Sequence, residues 1–244
     1  MSDQGITLWR QIGESLTQEI ESGHLATNQR LPSSEALASR FGVNRHTVRK
    51  AIAHLQAEGK VRIERGRGTY AVVNPLNYNL GPRQLLEQNL AQHNLVPSRT
   101  VIRVVECYPP VKAAEALEIP ADESVVLVTI LSEANGAPIN YGYHYVVSSR
   151  LPGIAEAFRS FLGKKRQSFS FTSLFETCGN SGYRRRNVRI RSRPPENEEA
   201  RYLNIASTEF VLVTEVTSVG DNNKPLTHAE TCFASSRVEL TINF

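Results

Sequence analysis

Between residues 45 and 67 this 244-residue chain gathers side chains whose chemistry suits a polyanion. Arg45, Arg49, Lys50, Lys60, Arg62, Arg65 and Arg67 stand there against two carboxylates, Glu58 and Glu64, although the whole chain carries only +4. A guanidinium is a planar fork of donors that matches phosphate oxygens or the O6/N7 edge of guanine. Arg45, His46, Thr47, Arg49 and Lys50 fall within six consecutive residues. Thr47 adds a hydroxyl for phosphate and a methyl for thymine. Arg65-Gly66-Arg67-Gly68 places two further arginines on a glycine-rich tip, suited to backbone phosphate or the minor groove. The chemistry is recognition of double-stranded nucleic acid, not bond making.

Such contacts need rigid carriers, and the flanking pattern supplies them. Leu8, Ile12, Leu16 and Ile20 recur every fourth residue, which predicts a helix stopped at Gly23. Ser33 is placed to cap a second helix carrying Leu37, Ala38 and Phe41, stopped by Gly42. Asn44 is placed to cap a third, with Val48, Ile52 and Leu55 inward and Gly59 as its stop. Two short helices joined through glycine form a helix-turn-helix, whose second helix reads bases near its N-terminus, where Arg45–Lys50 lie. Residues 61–70 alternate, turn through glycine and alternate again, predicting a two-stranded wing. Residues 1–73 are therefore expected to be a winged helix-turn-helix DNA-binding domain.

This stretch resembles the GntR family of bacterial regulators. The resemblance rests on Leu31-Pro32-Ser33-Ser34-Glu35-Ala36-Leu37-Ala38, on Phe41 through Ala51, on Leu55 with Glu58-Gly59, and on Arg65-Gly66-Arg67-Gly68-Thr69. It implies DNA contacts at Arg45, Thr47 and Arg49, at Arg65 and Gly66 in the wing, and near Ser34 and Glu35. His46 replaces a more usual small hydroxyl residue, and Glu35 stands where some members have Arg; both departures should alter base preference.

After Val73 the residues 74–82 are rich in Asn, Pro and Gly and read as a linker. Residues 83–244 change character and contain a repeat. Leu117-Glu118-Ile119 followed by Glu123–Thr129 is echoed 86 residues later by Leu203-Asn204-Ile205 followed by Glu209–Thr214. Each copy reads as helix end, strand, hairpin, strand, with turns at Asn135-Gly136 and Asp221-Asn222-Asn223. A pseudo-symmetric α+β domain on an antiparallel sheet is expected. This half resembles the effector domain of the HutC branch, the UTRA domain with a chorismate-lyase-like fold. Asn77-Tyr78-Asn79-Leu80-Gly81, Asn89-Leu90, His144-Tyr145 and Phe233–Leu240 are similar to regulators of phosphonate utilisation.

The resemblance implies an anion site. Ser173, in Ser173-Leu174-Phe175, matches a phosphate-binding serine of sugar-phosphate-sensing relatives. The arginines of those relatives are replaced here by Ile130 and Ser132. Ser98 and Arg99 lie where relatives contribute hydroxyls, and Arg99 can restore the lost charge. The effector candidates are thus Ser98, Arg99, Ser132 and Ser173, with a small phosphonate or phosphate ester as ligand. Arg189, Arg191 and Arg193 share one strand face, which is either solvated, or lines the pocket, or touches DNA. Tyr141, Tyr143 and Tyr145 also share a face and read as core or dimer surface.

Other classes are disfavoured. No apolar run reaches the ~20 residues of a membrane helix, and the N-terminus lacks a signal-peptide layout, which points to the cytoplasm. Cys107, Cys178 and Cys232 have no paired spacing, and His144 and His228 lack companion ligands, so neither metal nor cofactor is expected. The leading expectation is a homodimeric, effector-responsive regulator on palindromic operator DNA. A lyase-like enzyme and an effector-independent DNA binder remain the alternatives.

Overall fold

The computed structural model describes residues 7–21, 25, 29–64, 66–72, 75–83 and 85–243, and divides into two units, Met1–Asn74 and Pro75–Phe244. The expected stop at Gly23, the wing residue Arg65 and the boundary residue Val73 lie outside the described residues.

The first unit holds α1 (Leu8–Glu21), α2 (Ser34–Phe41), α3 (Arg45–Ala57), β1 (Val61–Glu64) and β2 (Gly68–Ala71). The fourfold stripe buries Ile12, Leu16 and Ile20 against Leu37, Val48, Ile52 and Leu55, while Leu8 stays exposed. Ser33 Oγ accepts from the Ala36 N–H at 3.2 Å, satisfying one orphan donor at the start of α2. Gly42 ends α2 at φ +64°, where a side chain is disfavoured. The β1–β2 hairpin pairs Val61 with Ala71 and Glu64 with Gly68. Gly68 sits at φ +137°, and a Cβ there would lie 2.5 Å from Arg30 Nε. Only glycine fits where the wing turns back.

The second unit contains β3 (Leu76–Asn79), α4 (Leu86–Ala91), β4 (Pro97–Cys107), α5 (Val111–Leu117), β5 (Val125–Ala134), β6 (Ala137–Val146), α6 (Ile154–Arg159) and α7 (Phe171–Thr177). It continues with β7 (Arg184–Arg193), α8 (Asn197–Leu203), β8 (Val211–Val219), β9 (Pro225–Ala234) and β10 (Val238–Thr241). Six strands form one antiparallel sheet in the order β4-β5-β6-β9-β8-β7. The repeat appears as α5-β5-β6 and α8-β8-β9, with β6 and β9 adjacent at the centre. Glu118 and Asn204, 86 residues apart in sequence, both end their helices in the left-handed region, at φ 54° and 50°.

One sheet face packs on α5 through Leu117, Val125 and Val147, and on α8 through Leu203, Val213 and Cys232. The other carries two apolar clusters. Val128, Ile130, Phe158, Phe171 and Phe175 build one with α6 and α7. Leu76, Tyr78, Leu86, Leu90 and Phe233 build the second with β3, α4 and β10.

Of the expected linker 74–82, the described residues 75–82 are not a free connector. Leu76, Tyr78 and Leu80 alternate into the second cluster, and β3 pairs in parallel with β10, Leu76 opposite Val238. Asn89 Oδ1 accepts from the Asn79 N–H at 2.6 Å, and its amide returns a bond to the Asn79 carbonyl. The turn-forming composition hid a short strand held by a parallel partner about 160 residues away in sequence.

Candidate nucleic-acid interface and effector cavity

In the first unit Asn44 positions the recognition helix. Its Oδ1 accepts from the Thr47 N–H at 2.9 Å and from the Thr47 hydroxyl at 3.0 Å. The Thr47 hydroxyl is therefore committed to the cap. Arg45, His46, Arg49 and Lys50 are exposed beyond it. Among the described residues, His46 and Arg49 have no side-chain partner. Arg45 reaches Glu35 at 2.9 Å; both are more than half exposed, so water screens the pair and it contributes little to stability. Lys50 Nζ lies 5.0 Å from the centroid of Trp9, which holds the ammonium beside α1. Ser34 opens α2 and Glu35 follows it, on the same surface as Arg45. In the wing, Gly66 adopts φ +75° and Arg67 is highly exposed, 3.9 Å from Glu64. Arg62 lies over Tyr70 and bonds Glu64, so it braces the hairpin.

In the second unit a small cavity of about 90 Å³ opens on the sheet face between the two apolar clusters. Strand register dictates its floor. Arg99, Ser132, Asn140 and Phe233 lie in one row across β4, β5, β6 and β9. The next row runs Ile130, Gly142, Thr231 and Thr214. A Cβ on Gly142 would sit 2.8 Å from Thr231 Oγ1 and 3.2 Å from His144 Nε2, so the glycine keeps the middle of the floor open. His144 and Ser218 line the following rows, and Tyr78, Phe171 and Tyr183 form walls.

Two arginines enter from the outer strands. Arg99, from β4, is 6% exposed, donates to Glu87 and the Phe169 carbonyl, and lies over the Phe169 and Phe171 rings. Arg185, from β7, donates to the Gly81 carbonyl at 2.8 Å and also bonds the Tyr78 phenol. Burial pushes the Tyr78 phenol up, opposed by the Arg185 and Arg99 charges. His144 is pushed down to about 3, first by burial and then by Arg99, so its imidazole is neutral at physiological pH. The cavity thus offers cationic forks, neutral hydroxyl and amide partners, and aromatic walls. That set suits a small anion with an apolar portion.

Two of the four effector candidates line this cavity, Arg99 and Ser132. Ser98 does not, because the alternation of β4 turns it the other way, 3.5 Å from Glu133. Ser173 is exposed on α7, with Oγ bonded to the capping Ser170 at 2.8 Å. The arginine face also differs from the pocket-lining alternative. Arg191 and Arg193 lie on the opposite sheet face, bound to Glu215, Glu230 and Glu199, and Arg189 faces a separate groove with Lys112 and His228. A register shift between Arg185 and Asn187 turns Arg185 alone of this run into the cavity. Tyr141 is buried and stacks on Tyr202 at 4.9 Å, as core. The residues missed were Tyr78, Asn140, His144, Tyr183, Arg185, Thr214, Ser218 and Thr231. The 86-residue echo carried a usable signal, since it maps Ser132 onto Ser218 and both face the cavity.

A capped, basic recognition helix on the same chain as a small cavity entered by two arginines is the pairing of a DNA reader with a sensor domain. Residues 8–71 match the bacterial regulatory proteins of the gntR family, and residues 92–239 match the UTRA domain. The chain belongs to the GntR-family regulators that carry a UTRA effector domain, which bind DNA and small-molecule effectors. It is 29% identical to the HTH-type transcriptional regulator RB1450 of Rhizobium meliloti, over 98% of this chain and 95% of that one. It is 26% identical to the probable transcriptional regulator PhnF of Escherichia coli, over 97% and 95%. The crystal structure of PhnF from Mycobacterium smegmatis shares the fold, with a TM-score of 0.63 at 16% identity, covering 96% and 98% of the two chains. Among the described residues, no helix is long and apolar enough to cross a membrane.

Proposed function

We propose that this protein is a cytoplasmic homodimeric repressor of a catabolic operon, released from its operator by a small phosphonate or phosphate ester. The observation that supports this best is the pair of arginines, Arg99 and Arg185, inside a cavity otherwise lined by hydroxyl, amide and aromatic groups. The phosphonate reading also rests on the sequence strings around Asn77–Gly81 and Phe233–Leu240. In this reading Arg45, His46, Arg49 and Lys50 meet bases or phosphates, Thr47 and Asn44 hold the helix in register, and Ser34, Gly66, Arg65 and Arg67 add backbone contacts. Glu35 acts by restraining Arg45 instead of binding DNA itself. A dimer sets two such helices one duplex turn apart, which calls for a palindromic site. Ligand entry acts only through a difference in its affinity for the DNA-bound and free states.

Isothermal titration with methylphosphonate tests the site. The wild-type chain is expected to bind, and Arg185→Ala to weaken binding by about 1.5–3 kcal/mol, the contribution of a hydrogen bond to a charged group. Equal affinity in the two proteins would remove Arg185 from the site.

A further inference from the structure

Arg99 does not meet the cavity as a free cation. Its Nη1 is shared between the Glu87 carboxylate and the Phe169 carbonyl. Glu87 stands on α4, and while its Oε1 meets Arg99, its Oε2 is buried without a hydrogen-bond partner among the described residues. A buried carboxylate oxygen with no donor is unusual and unfavourable. The carboxylate is thus held through one oxygen only, and its partner Arg99 joins Leu85 and Leu86 in the cavity wall.

We propose that Glu87 is a specificity-determining residue: its carboxylate is an internal stand-in for the effector's anionic group, displaced from Arg99 by a dianion but poorly by a monocarboxylate. This rests on the cavity being the anion site argued above. An incoming carboxylate brings the same charge and the same two acceptor oxygens that Glu87 already supplies. Exchange then gains little and leaves the Glu87 charge without its partner. A phosphonate brings a third oxygen and, when doubly ionised, a second charge, so exchange becomes favourable. Any ligand needing Arg99 has its apparent affinity lowered by the fraction of molecules in which Glu87 occupies that arginine. The carboxylate thereby filters the abundant monocarboxylates of metabolism out of a site built on arginine.

The test is isothermal titration of the full-length protein with methylphosphonate and with acetate, using wild type, Glu87→Gln and Glu87→Ala. Both variants are expected to bind methylphosphonate about tenfold more tightly than wild type. Their affinity for acetate should rise further, narrowing the preference. A purely structural role for Glu87 would instead weaken both ligands. If wild type binds methylphosphonate and neither variant binds it more tightly, the anion site stands and the Glu87 proposal is overturned. If neither wild type nor the variants bind it, the anion site itself is wrong and the proposal falls with it.

Discussion

Replacing Arg45 and Arg49 together with alanine is expected to weaken specific operator binding by about 1–3 kcal/mol for each arginine. Both project from the first turns of α3, and α3 is set by the Asn44 cap, not by either arginine. Both are exposed, so the double variant should fold with unchanged thermal stability. The two sites should respond differently alone. Arg49 has no partner to give up among the described residues, so its loss should be the more costly. Arg45 must leave Glu35 to meet DNA, so Glu35→Gln should tighten binding in wild type and have little effect once Arg45 is alanine. Fluorescence anisotropy at fixed salt, on a site selected from random DNA, measures all of these. An unchanged affinity in the double variant would reject α3 as the reading helix.

The largest stability effect is expected on the opposite face of the effector sheet. Glu199, at 0% exposure, accepts from Arg193 at 2.6 and 2.8 Å and from the Cys232 thiol at 2.8 Å, and caps its own helix through the Glu196 N–H at 2.8 Å. Removing the carboxylate leaves the partly buried Arg193 guanidinium with Glu230 alone, so Glu199→Ala should cost about 3 kcal/mol, the low end for breaking a buried pair. Trp9, the single tryptophan, belongs to the first unit, so unfolding of the second is best followed by circular dichroism or tyrosine signal. The carboxyl also has a pH signature. Burial pushes its pKa up, but the Arg193, Cys232 and Glu196 hydrogen bonds outweigh this and leave it below the ordinary value. A depressed acid stabilises the fold fully above the unfolded value of about 4.3, and the contribution fades as the pH falls through the folded value. Wild type should therefore lose stability in acid more steeply than Glu199→Gln. A loss under 1 kcal/mol for Glu199→Ala would mean that the network is not a structural anchor.

The first unit was legible because every device in it is local. Ser33, Gly42 and Asn44 act within four residues of themselves, and the Leu8–Ile20 stripe has one period. The sheet was legible through its repeat and its turn residues. The cavity was less so, because it is made by register. Ser98 and Arg99 are neighbours in sequence, yet strand alternation sends only one of them inward. Arg185 enters because of a bulge that composition does not announce. Tyr78 belongs to a strand whose parallel partner lies at the other end of the chain. The paired arginines on β7 were visible as a charge run, but their carboxylate partners come from α8, β8 and β9.

Anion binding in the cavity should change DNA affinity, and operator titration with and without methylphosphonate measures this directly. Saturating ligand should lower the operator affinity of wild type by about 5- to 150-fold, the span of a 1–3 kcal/mol coupling. Arg99→Ala and Arg185→Ala proteins should bind the operator as wild type does without ligand, and should need a much higher methylphosphonate concentration to respond. An operator affinity that is the same in wild type with and without bound methylphosphonate would mean that the cavity does not control DNA binding.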